Sequence, residues 1–571
     1  MKAVVPAEAL PVLEARYLWP GENPDQMFQR VAEHVARAEE LYGGDREQAA
    51  AEYYELMASL DFLPNSPTLM NAGRPQGQLA ACFVLPVEDS LAGIFSTLKD
   101  AALIHQSGGG TGFSFSRLRP RGDRVASTGG KSSGPVSFIR IFDLAAEVVR
   151  QGAARSGANM AVLRVDHPDV TEFIAAKRDP AALRHFNLSL GVTDRFMAAV
   201  VNGEKYQLIN PRDGKPMAEL LARDIFDLAC RSAWECGEPG LFFLDAVNRA
   251  NPTPQLGEIE APNPCGEQPL LPYESCVLGS INLARMLTGP AGSRQVDFSR
   301  LKSRVRLAVR FLDAVIDVNN YPLPAIAAAT ARTRKIGLGI MGLADLFIGL
   351  GLPYASQAAV EMTGEIMKVI TQEARLMSGE LAAERGAFPA YSGSRWAKEG
   401  ILVRNATVTT IAPTGTISLI AGCSSGIEPL FSLAATRQIT GTGEISFVNR
   451  FARRCLEERG LWNEEIITRL SRTGSLGDCG LIPQDVRMVL ATAHEIAPEW
   501  HVAHLAAAQA ATDNAVSKTV NLPQNATPDD VAKVFMEAYR RRCKGVTVYR
   551  DGSRPEQVLR SGFGLCQECA V

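Results

Sequence analysis

Neither sign of charge dominates this chain: 59 Lys and Arg stand against 62 Asp and Glu in 571 residues, a net charge of −3 with a pI near 6.3. Without a basic surplus there is no field for wrapping a polyanion, so nucleic acid is excluded as the main ligand, and small anions are left to loops that concentrate Arg. Long apolar runs are missing too. The longest, Ile336 to Leu352, is interrupted by Asp345 and five glycines, which makes it buried core and not a membrane span. The opening MKAVVPAEALPVLEARYLWP has no basic segment followed by an apolar stretch and a small-residue cleavage site, so no signal peptide is read there. Eleven cysteines, an odd number, then point to a reducing compartment where thiols serve chemistry, and the expected location is cytoplasmic. His501 and His504 stand at i, i+3 on a predicted helix but lack a third ligand at defined spacing, so no metal site is assigned.

What is present is ordinary for a globular protein, with 46% hydrophobic and 21% charged residues. The length permits several domains or one large barrel with additions. Asn23-Pro24 opens a predicted helix whose apolar stripe runs Phe28, Val31, Val35, Ala38, Tyr42, three and four apart. Ala80 to Pro86 reads as a short buried strand carrying Cys82. Asp89-Ser90 caps a predicted helix to about Gln106, which ends in the run Ser107 to Gly112, suited either to close backbone approach to a ligand or to a tight reversal. Arg117, Arg119, Arg121 and Arg124 follow on a loop that suits a nucleotide phosphate, and a second loop of small residues, 151 to 159, contains Arg155.

Gly337 to Gly342 matches the dinucleotide fingerprint letter for letter. It is rejected, because Ala331 to Ile336 is too charged for a buried strand and the acidic residue at the right distance, Glu361, lies in a helical stretch. A better phosphate site is Thr407 to Ile411, a β-branched strand running into the turn Ala412 to Thr416 and a helix start at Ile417. An ordinary strand-to-helix turn has the same composition.

The most chemically loaded stretch is Asn263-Pro264-Cys265-Gly266-Glu267. An amide, a thiol and a carboxylate alternate there, and Pro and Gly keep the run off a helix. In an extended loop alternate side chains lean to one side, so one small substrate can meet an orienting amide, a reactive sulfur and a proton acceptor. Near the C-terminus, Cys566 and Cys569 form one C-x-x-C pair on a stretch poor in apolar anchors. With no second pair to complete a zinc site, a dithiol shuttling electrons is the better reading.

Eight segments then occur in order: PNSPTLMNAG (64–73), ACFVLPVEDS (81–90), GGGTGFSFSRLRPRG (108–122), NPCGE (263–267), RKIGLGIMGLADLF (334–347), APTGTIS (412–418), DNAVSKTVNLP (513–523) and KGVTVYRDGSR (544–554). Together they resemble the ribonucleotide reductases, most closely the adenosylcobalamin-dependent class II enzymes. The resemblance implies an α/β fold, a ten-stranded α/β barrel of two antiparallel five-stranded halves with the NPCGE loop as a central finger. Residues 1–60 would be a helical region without an ATP cone, 61–552 the barrel and 553–571 a flexible redox tail.

The resemblance also implies roles. Cys265 would be the thiyl radical that abstracts the ribose 3′-hydrogen, Glu267 the acceptor of the 3′-hydroxyl proton, and Asn263 a hydrogen-bonding partner of the sugar. Cys82 and Cys276 would supply two electrons, and Cys566 and Cys569 would re-reduce them from a thioredoxin-like partner. Ser66, Ala81, Cys82, Gly110 and the turn Pro413, Thr414, Gly415, Thr416, Ile417 match substrate-contacting positions. Asp89, Arg119 and Arg155 match the site for deoxynucleotide or ATP specificity effectors, and a homodimer is expected. Two departures matter. Val546 to Tyr549 contains one tyrosine where class I enzymes carry an adjacent pair, which disfavours the alternative of a class I catalytic subunit needing a separate radical-generating subunit. No Asp-x-His-x-x-Gly cobalamin motif is present, so adenosylcobalamin use rests on the resemblance.

Overall fold

The computed structural model describes residues 2–75, 77–125, 129–151, 155–439, 443–553 and 559–562. Its N-terminal part is helical: α1 (Leu10–Arg16), α2 (Pro24–Ala36) and α3 (Arg46–Ala58). The Asn23 side chain accepts from Gln26 N while Gln26 reaches back to Asn23 N, a reciprocal cap that sets where α2 begins. Phe28, Val31, Val35 and Ala38 are all buried, as their spacing predicts. The chain tightens into a 3-10 turn over Arg37–Tyr42, which brings Tyr42 to the barrel side, where its hydroxyl donates to Asp317 at 3.0 Å.

The helical part is tied to the barrel by a buried ionic seam. Glu39, 1% exposed, accepts from Arg310 at 2.7 Å and Arg385 at 2.6 Å. These arginines stand on two long helices that pack together. Buried carboxylates persist only when such partners replace water.

Five parallel strands form one half of the barrel, β1 (Cys82–Pro86), β2 (Gly110–Ser114), β3 (Asn159–Arg164), β4 (Phe186–Val192) and β5 (Gly240–Phe243), each paired with the next. The other half contains β6 (Ser275–Asn282), β7 (Ile336–Met341), β8 (Thr519–Leu522) and β9 (Gly545–Arg550). β6 runs parallel to β7, and β8 to β9. The segment 407–411 lies between β7 and the residues leading into β8, through parallel bridges Leu338↔Thr409 and Ile411↔Val516, and completes the second five. The halves meet antiparallel at both seams, with Cys276 opposite Cys82 and Val546 opposite Leu241. The expected barrel is therefore observed. The predicted β-branched strand 407–411 is a stave held by bridges, while the short strand Phe62–Pro64 pairs with β6 as an extra member of the sheet.

At the rejected Gly337 to Gly342 match, Gly337 and Gly339 lie within a strand, since β7 spans Ile336–Met341 and is buried throughout, and Gly342 caps the helix that follows. A Cβ at Gly339 would lie 2.5 Å from the Thr410 carbonyl oxygen, and one at Gly337 2.5 Å from Gln268 Nε2. Here glycine allows close packing of the neighbouring stave and the interior loop, not of a pyrophosphate. His501 and His504 are buried, their Nε2 atoms bonded to the carbonyls of Ala493 at 3.2 Å and Tyr354 at 2.9 Å. No group of metal-ligating side chains occurs among the described residues, and no helix there is long and apolar enough to cross a membrane.

Candidate active site

A finger enters the barrel as a hairpin in which Ala261 and Pro262 pair with Leu270 and Pro269. Its tip is closed by Asn263: the backbone N–H donates to Gln268 O at 3.1 Å, the side-chain Oδ1 accepts from Gln268 N at 2.9 Å, and the carbonyl accepts from Gly266 N at 3.0 Å. Gly266 has φ 83, a left-handed turn that glycine makes at no steric cost. The finger is then stitched to the barrel wall. Ala515 N and Thr410 Oγ1 donate to Glu267 O at 2.9 and 2.8 Å, and Asn187 Nδ2 donates to Pro264 O at 2.9 Å.

The glycines of the 108–112 run receive this finger. A Cβ at Gly110 would lie 2.9 Å from Pro264 Cγ, and one at Gly112 would fall on the Pro262 carbonyl. The close approach read from the sequence is real, but the approaching group is the protein's own loop.

Four predicted residues converge beneath the tip. Asn263 Nδ2 donates to Cys82 Sγ at 3.0 Å, and the Cys82 thiol lies 3.9 Å from Glu267 Oε1. Cys276 faces Cys82 across the antiparallel seam. Directly opposed residues of such a pair have Cα atoms about 4.5–5.5 Å apart, within the span a disulfide needs. Burial pushes both thiols well above their ordinary range. Burial also raises the Glu267 carboxyl to about 7, against the opposing effect of hydrogen bonds from its own backbone, Asn263 and Cys82. Among the described residues its Oε2 has no hydrogen-bond partner, and neither has the buried Gln268 side-chain amide. A polar substrate with hydroxyls fits these orphaned groups.

Cys265 is exposed at the tip, where it lines a 710 Å³ cavity with Asn187, Glu238, Pro413, Gly415 and Tyr549. It is near enough to Cys82 for its charge to push that thiol further up, so the sulfur pair, the carboxyl and the tip thiol belong to one site that opens to the cavity at the tip. Of the predicted phosphate turn, Pro413 and Gly415 line the chamber. Thr414 sits at φ 55 with its hydroxyl accepting from Gly426 N at 2.8 Å, and Thr416 and Ile417 begin the short helix Ile417–Ala421.

The remaining predicted positions stand further out. Ala81 bridges the two neighbours of β1, its N–H donating to Cys276 O at 3.4 Å and its carbonyl accepting from Gly110 N at 2.9 Å. Ser66 Oγ lies 2.7 Å from Tyr17 Oη. Arg119 forks onto Asp89 at 3.1 and 2.8 Å, with its own N–H on the same carboxylate. Arg155 is placed by its backbone, on a two-residue strand paired with Arg150–Gln151. Cys566 and Cys569 lie outside the described residues.

Several groups escaped the sequence reading. Glu238, in the chamber wall, accepts from Lys177 Nζ and Leu188 N at 2.7 Å each. Cys423 shares the chamber with Cys265, and Lys335 and Glu274 form a buried pair behind Cys276. Glu238, Glu274 and Cys423 come from segments with no local motif, and Lys335 from one read for its glycines; only the closed barrel collects them.

Comparison with known proteins fits this geometry. A family model for the ribonucleotide reductase barrel domain matches residues 80–549, and one for the ribonucleotide reductase all-alpha domain matches residues 7–77. The chain belongs to the ribonucleotide reductase family. It is 52% identical over 561 residues to a vitamin B12-dependent ribonucleoside-diphosphate reductase of Mycobacterium tuberculosis, covering 97% of this chain and 80% of that one. It is 46% identical over 617 residues to a protein of the same name from Thermoplasma acidophilum, again covering 97% and 80%. Among solved structures, the Actinobacillus ureae class Id ribonucleotide reductase alpha subunit shares the fold, with a TM-score of 0.79 over 96% of this chain and 97% of that chain at 24% identity.

Proposed function

We infer that this chain is a vitamin B12-dependent ribonucleoside-diphosphate reductase, which converts ribonucleotides to 2′-deoxyribonucleotides at the expense of a dithiol. The observation that supports the reading is the convergence of Cys82, Cys276, Asn263 and Glu267 at a finger whose tip thiol, Cys265, faces a chamber. Adenosylcobalamin, when bound, supplies the one-electron oxidising equivalent. The chamber fits it because it exposes the Cys265 sulfur beside apolar walls that include Leu419, Phe431 and Phe447. These residues would hold the coenzyme and keep water from the tip.

In this proposal Cys265 takes the ribose 3′-hydrogen and returns it, while Glu267 accepts and returns the 3′-hydroxyl proton. A carboxyl with a pKa of about 7 is suited to both directions of that transfer. Asn263 holds the sugar. Cys82 and Cys276 become a disulfide as the 2′-hydroxyl leaves as water, and Cys566 and Cys569 re-reduce them. Ser66, Ala81, Gly110 and the turn Pro413 to Ile417 hold the substrate, with the diphosphate at the turn. The domain division is the helical region 1–60, the barrel 61–552 and the redox tail 553–571. A cytoplasmic location follows from the dependence on reduced thiols.

We assign effector control to Asp89, Arg119 and Arg155, and dimerisation to the helices beside them, α4 (Leu91–Gln106) and α5 (Pro135–Val148). Leu91, Phe95, Leu144 and Val148 are 50–74% exposed on these two helices, an apolar face that a second copy would cover.

Purified protein with adenosylcobalamin, a ribonucleoside diphosphate and dithiothreitol should form deoxynucleotide without iron or a second subunit. Cys265→Ser should abolish this while nucleotide still binds. Turnover that survives the substitution rules out the thiyl role, and turnover that requires a separate metallo-subunit favours a class I-type catalytic chain.

A further inference from the structure

A second cavity, of 960 Å³, opens away from the finger and shares no lining residue with the chamber at Cys265. Its size suits a small molecule. It stands where β5 has ended and β9 has yet to begin: Arg249 closes the short helix Leu244–Arg249 that follows β5, and Lys544 immediately precedes Gly545. The helices Gln357–Arg385 and Arg395–Glu399 supply more of its wall. A smaller cavity of 410 Å³ shares Arg249 and Arg542 with it and adds Arg540 and Asp194.

Positive charge is concentrated in the larger cavity. Arg249, Lys368, Arg375, Arg395, Arg542 and Lys544 line it, against the carboxylates of Glu361 and Asp513, in a chain whose net charge is −3. Part of that charge is already paired: Arg249 with Asp194 at 2.5 Å, Arg395 with Glu399 at 2.6 Å, and Arg375 with Asp513. The rest is not. Among the described residues Lys368 and Arg542 have no ion-pair partner, and the buried Arg375 Nε has no hydrogen-bond partner. Lys544, 7% exposed, donates to the carbonyls of Asp513 and Asn514 at 2.6 Å each. Burial lowers its ammonium to about 8, with Asp513 opposing the fall and the Arg395 charge adding to it. The guanidiniums of Arg375 and Arg395 lie 5.2 and 5.4 Å from the centroid of one indole, that of Trp396. Two like charges are thus held together where an anion would relieve their repulsion.

Arg542 departs from the local rule as well. The helix Pro528–Arg540 ends with Arg542 at φ 59, its N–H donating to Tyr539 O at 2.9 Å and the next N–H, of Cys543, to Ala538 O at 3.0 Å. That is a left-handed cap, which glycine makes at no steric cost. An arginine there is strained, and its side chain on the cavity wall gives the strain a purpose. We propose that this cavity binds a small polyanion carrying two or more phosphate groups, held by Lys368, Arg375, Arg395 and Arg542. Guanidinium forks match phosphate oxygens in pairs, and the lysine ammonium adds a point charge. A single phosphate would meet only part of a cation set drawn from three separate segments, so a chain of phosphates is the better fit. The phosphate chain has two sources, a free polyphosphate or a nucleotide.

The test is isothermal titration calorimetry of the full chain with tripolyphosphate, orthophosphate and ATP, every chain carrying Arg119→Ala so that the proposed effector loop does not contribute. Tripolyphosphate should bind about tenfold or more tightly than orthophosphate, and hydrogen exchange should slow in the peptides that contain Lys368 and Arg542. Adding Lys368→Gln with Arg542→Gly should weaken tripolyphosphate by about tenfold for each cation removed, about 100-fold together. Glycine suits φ 59 and neither cation leaves a carboxylate stranded, so the thermal midpoint should hold. ATP weakened equally by the double substitution identifies a nucleotide as the source of the phosphates. ATP unaffected while tripolyphosphate weakens identifies a free polyphosphate. Tripolyphosphate affinity unchanged by the double substitution, protection confined to the turn Pro413 to Ile417, or no binding at millimolar concentration overturns the site.

Discussion

The carbonyl oxygen of Pro262 occupies the space in which a side chain at Gly112 would begin, so that the base of the finger rests directly on the backbone of β2. The reactive tip is thus positioned from below by the absence of a single methyl group.

Gly112→Ala should therefore displace the finger while the barrel still folds. Misplacement of a reacting group by about 1 Å costs roughly 100-fold in rate, and deoxynucleotide formation should fall by at least that much with far-UV circular dichroism nearly unchanged. Gly364→Ala is the control: it lies on the helix Gln357–Arg385, and an added Cβ would meet nothing nearer than 3.9 Å. That change should leave activity intact and raise stability by about 0.5–1 kcal/mol.

Glu267 gives a prediction in which activity and stability move oppositely. Its carboxyl is raised by burial to about 7, above the value of about 4.3 for an unfolded chain. Between those values the folded state binds the extra proton, so the protein loses stability as pH rises through this window, and the loss is complete above it. Glu267→Gln removes that penalty. Its denaturation midpoint should exceed the wild type at pH 8, by up to about 3 kcal/mol, and match it near pH 4. Turnover should fall roughly 100- to 10,000-fold, as loss of a general base entails. In the wild type the rate should climb with pH through about 7.

Glu39 behaves in the opposite sense. Burial raises its carboxyl, but the hydrogen bonds and charges of Arg310 and Arg385 outweigh this and hold it below the ordinary range. Its contribution is present above the unfolded value and is lost as pH falls through the lower, folded one. Glu39→Gln removes the nearest counter-charge of Arg385, leaving it Glu384 at 3.3 Å and Asp313 at 3.7 Å, and should cost up to about 3 kcal/mol, read as a lower urea midpoint at pH 7 with the helical region released first in hydrogen exchange.

Arg119 is held by the Asp89 carboxylate through both its guanidinium and its backbone N–H. Arg119→Ala should leave the basal reduction of each ribonucleoside diphosphate within about threefold, because the pair stands apart from the finger. It should erase the change in relative rates on adding dTTP, dATP or dGTP. Relative rates that still respond would show that the effector site lies elsewhere.

Much of this molecule was legible in local chemistry. Asn23 and Ser90 start helices because their side chains satisfy backbone N–H groups at the first turn. The apolar stripe from Phe28 to Ala38 is buried as its spacing requires, and the alternation of Asn263, Cys265 and Glu267 marked the reactive loop. Alternatives stayed open where one composition serves two ends. Glycines at 337 and 339, whose match to a nucleotide loop was rejected, let staves close up, and those at 110 and 112 receive the finger.

By itself, then, the sequence determined where elements start and stop and which loop sets an amide, a thiol and a carboxylate at alternate positions. Only the tertiary structure decided that Cys82 and Cys276 stand in register, that Asn263 and Glu267 share one sulfur while Cys265 lines the chamber, and that Lys335 lies buried behind Cys276. The reason is physical. Capping and periodicity are settled within a few residues of backbone, whereas the neighbour of a strand and the partner of a buried charge are settled by closure of the barrel, which no local pattern encodes.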